Sequence, residues 1–312
     1  MRRKVLQIAE STQLISLPRK WCLAHNIKKG DELEIEEQGN RLVVSTEKTP
    51  GLGAIEVNVT DLDRDSLMYL IRCLYIKGYD EIKVRFDKPL ADHYRIGKKV
   101  KVITSIHEEV NRLNGVEIIQ QRENFCIIKD IAESSMKDFD VVLRRIFLLV
   151  LDASSDLLQG TKKGDMYLID SLKEKHDTIT KFIANNLRLL NKEWQGEKNN
   201  LIMYHILYTL DNITDILKES SRYIVEFNVK FSKETENFLR IIHTMLSDFQ
   251  SIFFKFDLSL VEKISRNRYD TIKNLKNIAK RLDYREVILL TKIKGIADRI
   301  LDLSVNKMVM QY

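Results

Sequence analysis

Leu143-Arg-Arg-Ile-Phe-Leu-Leu-Val-Leu-Asp152 aligns without gaps to Leu239-Arg-Ile-Ile-His-Thr-Met-Leu-Ser-Asp248, with Leu, Arg, Ile and Asp at the same places. Two shorter matches follow in the same order: His176-Asp-Thr-Ile179 with Tyr269-Asp-Thr-Ile272, and Asp211-Asn-Ile-Thr-Asp-Ile-Leu217 with Lys294-Gly-Ile-Ala-Asp-Arg-Ile300. Each lies in a stretch whose apolar residues recur every three or four positions, the period of an amphipathic helix. Three ordered matches therefore describe two tandem three-helix units. The offsets of 96, 93 and 83 residues shrink along the repeat, and an extra connection in the first unit, Lys192 to Asn200, accounts for the difference. Insertions of this kind are tolerated in loops.

Working outward, the helical pattern runs from Ser134 to the C-terminus and predicts an all-α bundle over 134–312, with repeats at about 134–228 and 232–312. Helix breakers agree: Pro18, Pro50 and Pro89 are the only prolines, and Gly295 is the only glycine after Gly196. Residues 54–132 alternate in another way and predict a small α/β domain. Its strands are Ile55–Val59, Glu81–Phe86, Val116–Gln120 and Phe125–Lys129, with helices at Asp65–Lys77 and around Ser105–Leu113 and a hairpin turn at Arg122-Glu-Asn124. It reads as a linker or sensor. Lys48-Thr-Pro-Gly-Leu-Gly53 is a linker by composition and bounds a first domain at residues 1–50. That domain reads as four short strands (Lys4–Ile8, Gln13–Leu17, Glu32–Glu36, Arg41–Val44) around a helix at Arg19–His25, with turns at Lys28-Lys29-Gly-Asp31 and Gln38-Gly39-Asn40. Some fifty residues of this kind bury too little surface alone, so a second copy is expected to complete the unit as a homodimer.

Composition narrows the function. Of 312 residues, 44% are apolar and 31% charged, the balance of a soluble globular protein. No uncharged apolar run approaches the ~18 residues of a membrane span, and Met1-Arg2-Arg3-Lys4 leads into no signal-peptide core, so a cytoplasmic protein without membrane insertion is expected. The Walker lysine loop, a strand-linked G-x-G-x-x-G, H-E-x-x-H and G-x-S-x-G are all absent, and no enzyme is expected. Cys22, Cys73 and Cys126 form no C-x-x-C and read as buried free thiols. His93 and His107 are isolated. Phe249, Phe253, Phe254 and Phe256 read as bundle core or a partner-facing patch, and Tyr204, His205 and Tyr208 lean to core.

The net charge of +6 has an address. Residues 1–30 hold seven Lys/Arg against Glu10 alone, which leaves 44 of the 51 basic and 44 of the 45 acidic residues for the other 282. The whole excess lies in the first tenth of the chain and predicts a polyanionic partner there.

Ser11-Thr-Gln-Leu-Ile-Ser-Leu-Pro-Arg-Lys20, followed by Ile27-Lys-Lys-Gly-Asp-Glu-Leu-Glu-Ile35, resembles the SpoVT/AbrB/MazE family over most of residues 2–47. The resemblance implies a swapped-hairpin β dimer lying on double-stranded DNA. By position it implies DNA contacts at Arg2, Arg3 and Lys4, ahead of the first strand, and at Arg19 and Lys20, after the Leu17-Pro18 step. The other reading is a module that only dimerises.

The tandem three-helix units, each closing on an acidic-x-x-x-Asp helix, resemble PhoU phosphate-uptake regulators over 136–310. This resemblance implies action beside a phosphate transporter and its signalling kinase, and paired acids that bind a divalent or transition metal ion. Asp211 and Asp215 fit that motif in the first unit, where i and i+4 spacing puts both carboxylates on one helix face. Asp298 fits in the second, but Lys294 stands where its partner acid belongs. The repeated Asp177 and Asp270 would support ligands or bond to neighbouring helices.

Together these readings imply a DNA-binding transcriptional regulator with a PhoU-like bundle as its sensor or docking module, similar to archaeal regulators that fuse the two. The alternative is an accessory protein that dimerises through its N-terminal domain and regulates a transporter or kinase by protein contact, without DNA. An antitoxin would carry a short disordered tail after the first domain, where this chain carries a long patterned one.

Overall fold

Val5–Ile8 (β1) and Thr12–Ile15 (β2) pair antiparallel, Val5 opposite Ile15, and Pro18 then fixes the entry to the short helix Arg19–Ala24 (α1). The computed structural model describes residues 2–8, 12–38, 41–45, 52–132, 136–192 and 198–312. It divides the chain into two compact units, Met1–Pro50 and Gly51–Tyr312.

In the first unit, Lys28-Lys29-Gly30-Asp31 turns the chain after α1. The Lys28 amide donates to the Asp31 carboxylate at 2.6 Å, and Gly30 adopts φ +99°, a left-handed value that favours glycine. Glu34–Gln38 (β3) and Arg41–Ser45 (β4) form a second antiparallel hairpin. Residues 39 and 40 of its expected turn lie outside the described residues, as does most of the 48–53 linker. The two hairpins form separate two-stranded sheets. Every residue of β1 and β2 is exposed and α1 buries none, so among its described residues this unit has no buried apolar core of its own.

The second unit begins with a four-stranded sheet in the order β5-β6-β10-β9. Ala54–Asn58 (β5) and Glu81–Arg85 (β6) run parallel, joined by helix Arg64–Lys77 (α2). The ends of α2 explain its bounds. The Asp63 carboxylate accepts from the amides of Asp65 and Ser66 at 3.0 and 3.4 Å, and Gly78 closes the helix at φ +107°. Between β6 and the last strands come a hairpin, Leu90–His93 (β7) and Lys98–Lys101 (β8), and the helix Val102–Val110 (α3). Sequence periodicity starts α3 three residues late and misses the hairpin, whose four-residue strands are too short to show a period. Val116–Gln121 (β9) and Phe125–Asp130 (β10) complete the sheet. Leu67, Ile71 and Tyr75 of α2 pack with Ile106 of α3 and Val84 and Ile128 of the sheet in one apolar core.

The bundle follows: Phe139–Lys163 (α4), the short Met166–Asp170 (α5), Leu172–Lys192 (α6), Lys198–Phe227 (α7), Lys233–Phe254 (α8), Leu258–Ile278 (α9) and Tyr284–Gln311 (α10). Residues 193–197, in the extra connection, lie outside the described residues. Leu143, Ile146, Phe147, Val150 and Leu157 of α4 meet Phe238, Ile242, Met245 and Phe249 of α8, so both repeats share one continuous core. Repeated acids hold repeated helix contacts: Asp152 of α4 pairs with Lys175 of α6, and Asp248 of α8 pairs with Lys263 of α9 at 2.9 Å. No helix among the described residues is long and apolar enough to cross a membrane.

Layer and bundle belong to one unit because α6 grips the end of α2. The Arg188 side chain, 2% exposed, donates to the carbonyls of Tyr75 and Tyr79 at 2.5 and 2.9 Å and to the Asp130 carboxylate at 2.7 Å. The Tyr75 carbonyl, in the last turn of α2, also accepts from the Gly78 amide at 3.0 Å, and Tyr79 lies just past the helix end. Lys192 adds bonds to Asp80 and Asp130, and Asn191 donates to the Ile76 carbonyl.

Several expectations are corrected. Cys126 is buried, its thiol pushed up to about 12 by burial, but Cys73 is exposed and Cys22 half-buried. Phe249 and Phe253 are core as expected, while Phe254 is 39% exposed under the Arg144 guanidinium. Tyr204 is half-buried, but His205 and Tyr208 are exposed, because they fall off the Ile206-Leu207-Leu210-Ile213 stripe that α7 buries.

Candidate functional site

Along α7, Asp211, Asp215, Lys218 and Arg222 are spaced four, three and four residues apart, which places them on one face. Lys173, His176 and Thr180 do the same on α6. These two polar stripes form one wall of a cavity of about 370 Å³. The opposite wall is the α/β layer: Arg64, Tyr69 and Arg72 from α2, His93 and Arg95 from the β7–β8 connection, and Glu109 and Arg112 from α3 and the turn after it.

Inside the cavity the charges are paired. His176 Nε2 and Lys218 Nζ both lie on Asp215 Oδ1, at 2.9 and 2.5 Å, and His176 Nδ1 lies 3.1 Å from Asp177. Arg112 reaches across from the layer to Asp177 at 3.1 Å. Arg72 grips Glu109 through two bonds of 2.7 and 3.1 Å, a bidentate geometry, and the Glu109 side chain is fully buried. Arg64 joins Asp65 and Glu108 at 2.6 Å each. Thr180 donates to Asp211 at 2.9 Å.

Burial and partners pull the titrations apart. Burial pushes the Asp211 carboxyl up, only partly opposed by the Thr180 hydroxyl. Burial would raise Asp215 as well, but the bonds from His176 and Lys218 override it and hold that carboxyl well below the usual range. Burial alone would lower the His176 imidazole, yet its bonds to Asp177 and Asp215 bring it above its ordinary value. Two carboxylates one turn apart thus behave oppositely, because only one of them has cationic partners.

The second repeat solves the same problem with other residues. Asp298 accepts from Arg268 Nε at 2.8 Å and from Lys294 at 2.9 Å. Burial, which would raise this carboxyl, is again outweighed by Lys294 and Arg268, and its pKa is lowered. In both repeats a basic side chain of the preceding helix and a lysine of the same helix bond the aspartate: His176 and Lys218 share Asp215 Oδ1, and Arg268 and Lys294 take one oxygen each of Asp298. Among the described residues no group of three or more His, Cys, Asp or Glu is placed to hold a metal ion.

The five basic candidates of the first unit are placed differently. Arg2, Arg3 and Lys4 precede β1, Arg19 and Lys20 open α1, all five are exposed, and none makes an ion pair among the described residues. Sequence reasoning found Asp211 and Asp215 but missed Arg72, Arg112, His176 and Lys218. The 211/215/218/222 stripe was a usable signal, whereas the facing arginines come from distant sequence and only the fold brings them there.

Comparison with known proteins gives two separate likenesses. Residues 7–51 match the family model described as antidote-toxin recognition MazE, bacterial antitoxin. Among solved structures, PhoU from Pseudomonas aeruginosa is 14% identical with a TM-score of 0.48, the match covering 56% of this chain and 96% of that one. The phosphate transport system regulatory protein PhoU from Streptococcus pneumoniae gives 13% identity and a TM-score of 0.47, over 56% and 94% of the two chains. A PhoU-like protein from Shewanella oneidensis gives 11% and 0.38, over 57% and 97%. No curated protein matches the chain.

Proposed function

We propose that the protein is a dimeric DNA-binding regulator whose helical bundle reads or relays phosphate status. The observation that carries the DNA half is the state of the first unit. Its exposed apolar strand residues range from 44% at Leu14 to 65% at Ile35, Val43 and Val44 of β4 are half-buried, and its five basic residues are exposed and unpaired among the described residues. Isolated two-stranded hairpins are marginal in water. A second copy that covers the apolar faces completes the fold and doubles the basic surface. The MazE-type match over residues 7–51 supports the same module. A toxin-neutralising role is disfavoured because Gly51–Tyr312 forms a compact unit, not a short extension.

The phosphate half rests on the tandem repeat and its resemblance to PhoU regulators. Layer and bundle meet at Arg188 and around the charged cavity, so a change in the bundle can reach the layer that follows the DNA-binding unit.

The test is binding to double-stranded DNA across a salt series. Log affinity should fall with log salt by roughly 0.9 per phosphate neutralised. Changing Arg2, Arg3 and Lys4 together to Ala should weaken binding and flatten the slope by up to about three phosphates per protomer. An unchanged slope removes these residues from the interface, and absence of binding by the wild type leaves the accessory-protein reading.

A further inference from the structure

We propose that the cavity between the α/β layer and helices α6 and α7 binds a small phosphate-bearing anion that bridges its two walls. The proposal rests on the regulator reading only for its purpose; the site itself is argued from geometry. Seven Lys or Arg and six Asp or Glu line the cavity, together with His93 and His176. The acids have little left to offer a ligand. Asp215 and Asp177 are held by His176, Lys218 and Arg112, Glu109 is held bidentately by Arg72, and Arg64 takes both Asp65 and Glu108. Asp211, half-buried, accepts from the Thr180 hydroxyl.

The spare valence is cationic. Lys173 of α6 makes no ion pair among the described residues, and Arg95 comes no closer than 3.9 Å to its nearest acid, Asp65. Arg222 of α7 is tied only to Glu219, one turn back on its own helix. His93 Nε2, on the layer side, is shielded from solvent with no hydrogen-bond partner. A buried polar atom left unpaired is costly. Donors wait on both walls: Arg95 on the layer, Lys173 and Arg222 on the bundle.

The chemistry that satisfies them is a phosphoryl group, whose several oxygens accept from guanidinium and ammonium donors converging from different directions. At about 370 Å³ the cavity suits a small ligand, the usual range being ~300–1,000 Å³. Tyr69, 60% exposed at the rim, offers a ring face to a nucleobase, so the phosphoryl group could arrive free or on a nucleotide. An anion touching both walls makes the seating of the layer on the bundle depend on its concentration.

The experiment titrates the full-length protein, without DNA, with inorganic phosphate, pyrophosphate and ATP, and with citrate as a carboxylate control. Calorimetry gives affinity and thermal melting gives the shift in Tm. At least one phosphate probe should bind with a Kd of about 1 mM or tighter and raise Tm, and citrate should bind at least tenfold more weakly. Arg95→Ala with Lys173→Ala, both at exposed and loosely tied positions, should weaken binding at least tenfold without lowering the Tm of the free protein. Tyr69→Ala separates the sources: it should weaken ATP but spare phosphate and pyrophosphate if a nucleotide is the natural form, and change none of them if the free anion is. No binding by any phosphate probe overturns the proposal, as does equal binding by the double variant or by citrate. DNA affinity is measured separately, so a protein that binds the anion and not DNA refutes the regulator reading alone, and the reverse result refutes this site alone.

Discussion

The hairpin unit and the bundle differ in where their apolar side chains find company. In residues 2–45, β1 and β2 carry Val5, Leu6, Ile8, Leu14 and Ile15 and yet expose every residue. In the bundle, α4 and α8 carry the same kind of residue at helical spacing and bury it to a few per cent or less. The difference lies in the number of elements available to cover them. Seven helices of one chain can close around a common core, and two separate hairpins cannot. The bundle is a fold of one chain; the hairpin unit, as proposed, is completed by a second copy.

The largest test of that contrast removes the first unit. A protein lacking residues 1–50 should still melt cooperatively, since both apolar cores lie after residue 50. It should lose DNA binding entirely and sediment as a smaller species. If the truncated protein loses its cooperative transition, the bundle depends on the hairpin unit and the contrast fails. If it keeps the assembly size of the full chain, the dimer contacts lie elsewhere.

A smaller change asks how firmly layer and bundle are joined. Arg188→Ala would remove the guanidinium from the carbonyls of Tyr75 and Tyr79 and leave the Asp130 carboxylate, 14% exposed, with Lys192 as its remaining close partner. Losing one member of a buried charge network costs about 3–5 kcal/mol. Thermal melting should show that loss, and hydrogen exchange should speed up in α2 more than in α8–α10. Uniform loosening of the whole unit would mean that layer and bundle unfold as a single block.

How much of this was legible in the sequence depended on how local the cause was. Helix α2 was readable because its bounds are local: Asp63 caps one end and Gly78 releases the other. The repeat was readable because each copy spans a whole helix. The cavity was not, because Arg72 and Glu109 stand 37 residues apart and Arg112 and Asp177 stand 65 apart. Lys294 shows the limit most clearly. Read alone, it was a defect in an acidic motif. Beside Arg268 and Asp298 it is one of two cations on that carboxylate, and Lys218 with His176 plays the same part for Asp215 in the first repeat.

The finest distinction is between the two carboxylates of one turn of α7, and pH resolves it. Asp211 has a pKa raised by burial, so around and above the usual carboxylate range the folded state holds a proton that the unfolded state has released. Stability must therefore fall as pH rises from the unfolded-chain value, ~3.9, through the folded one. His176, raised overall by its bonds to Asp177 and Asp215 despite burial, has the same sign over a higher window. Its contribution is complete below ~6.5 and is lost as pH climbs through its folded pKa. Asp215 has the opposite sign, because its lowered pKa adds stability above ~3.8 that acid removes. Asp211→Asn keeps an acceptor for the Thr180 hydroxyl and removes the buried charge. It should match the wild type near pH 4 and exceed it at pH 7, by about 1 kcal/mol. Asp215→Asn should instead be less stable at pH 7, since His176 and Lys218 would then face each other at 3.1 Å with no anion between them. Denaturant melts of both variants at pH 4, 6 and 8 check the signs. If the two substitutions shift stability in the same direction at pH 7, the environments of these carboxylates are not distinct and the asymmetry within α7 is refuted.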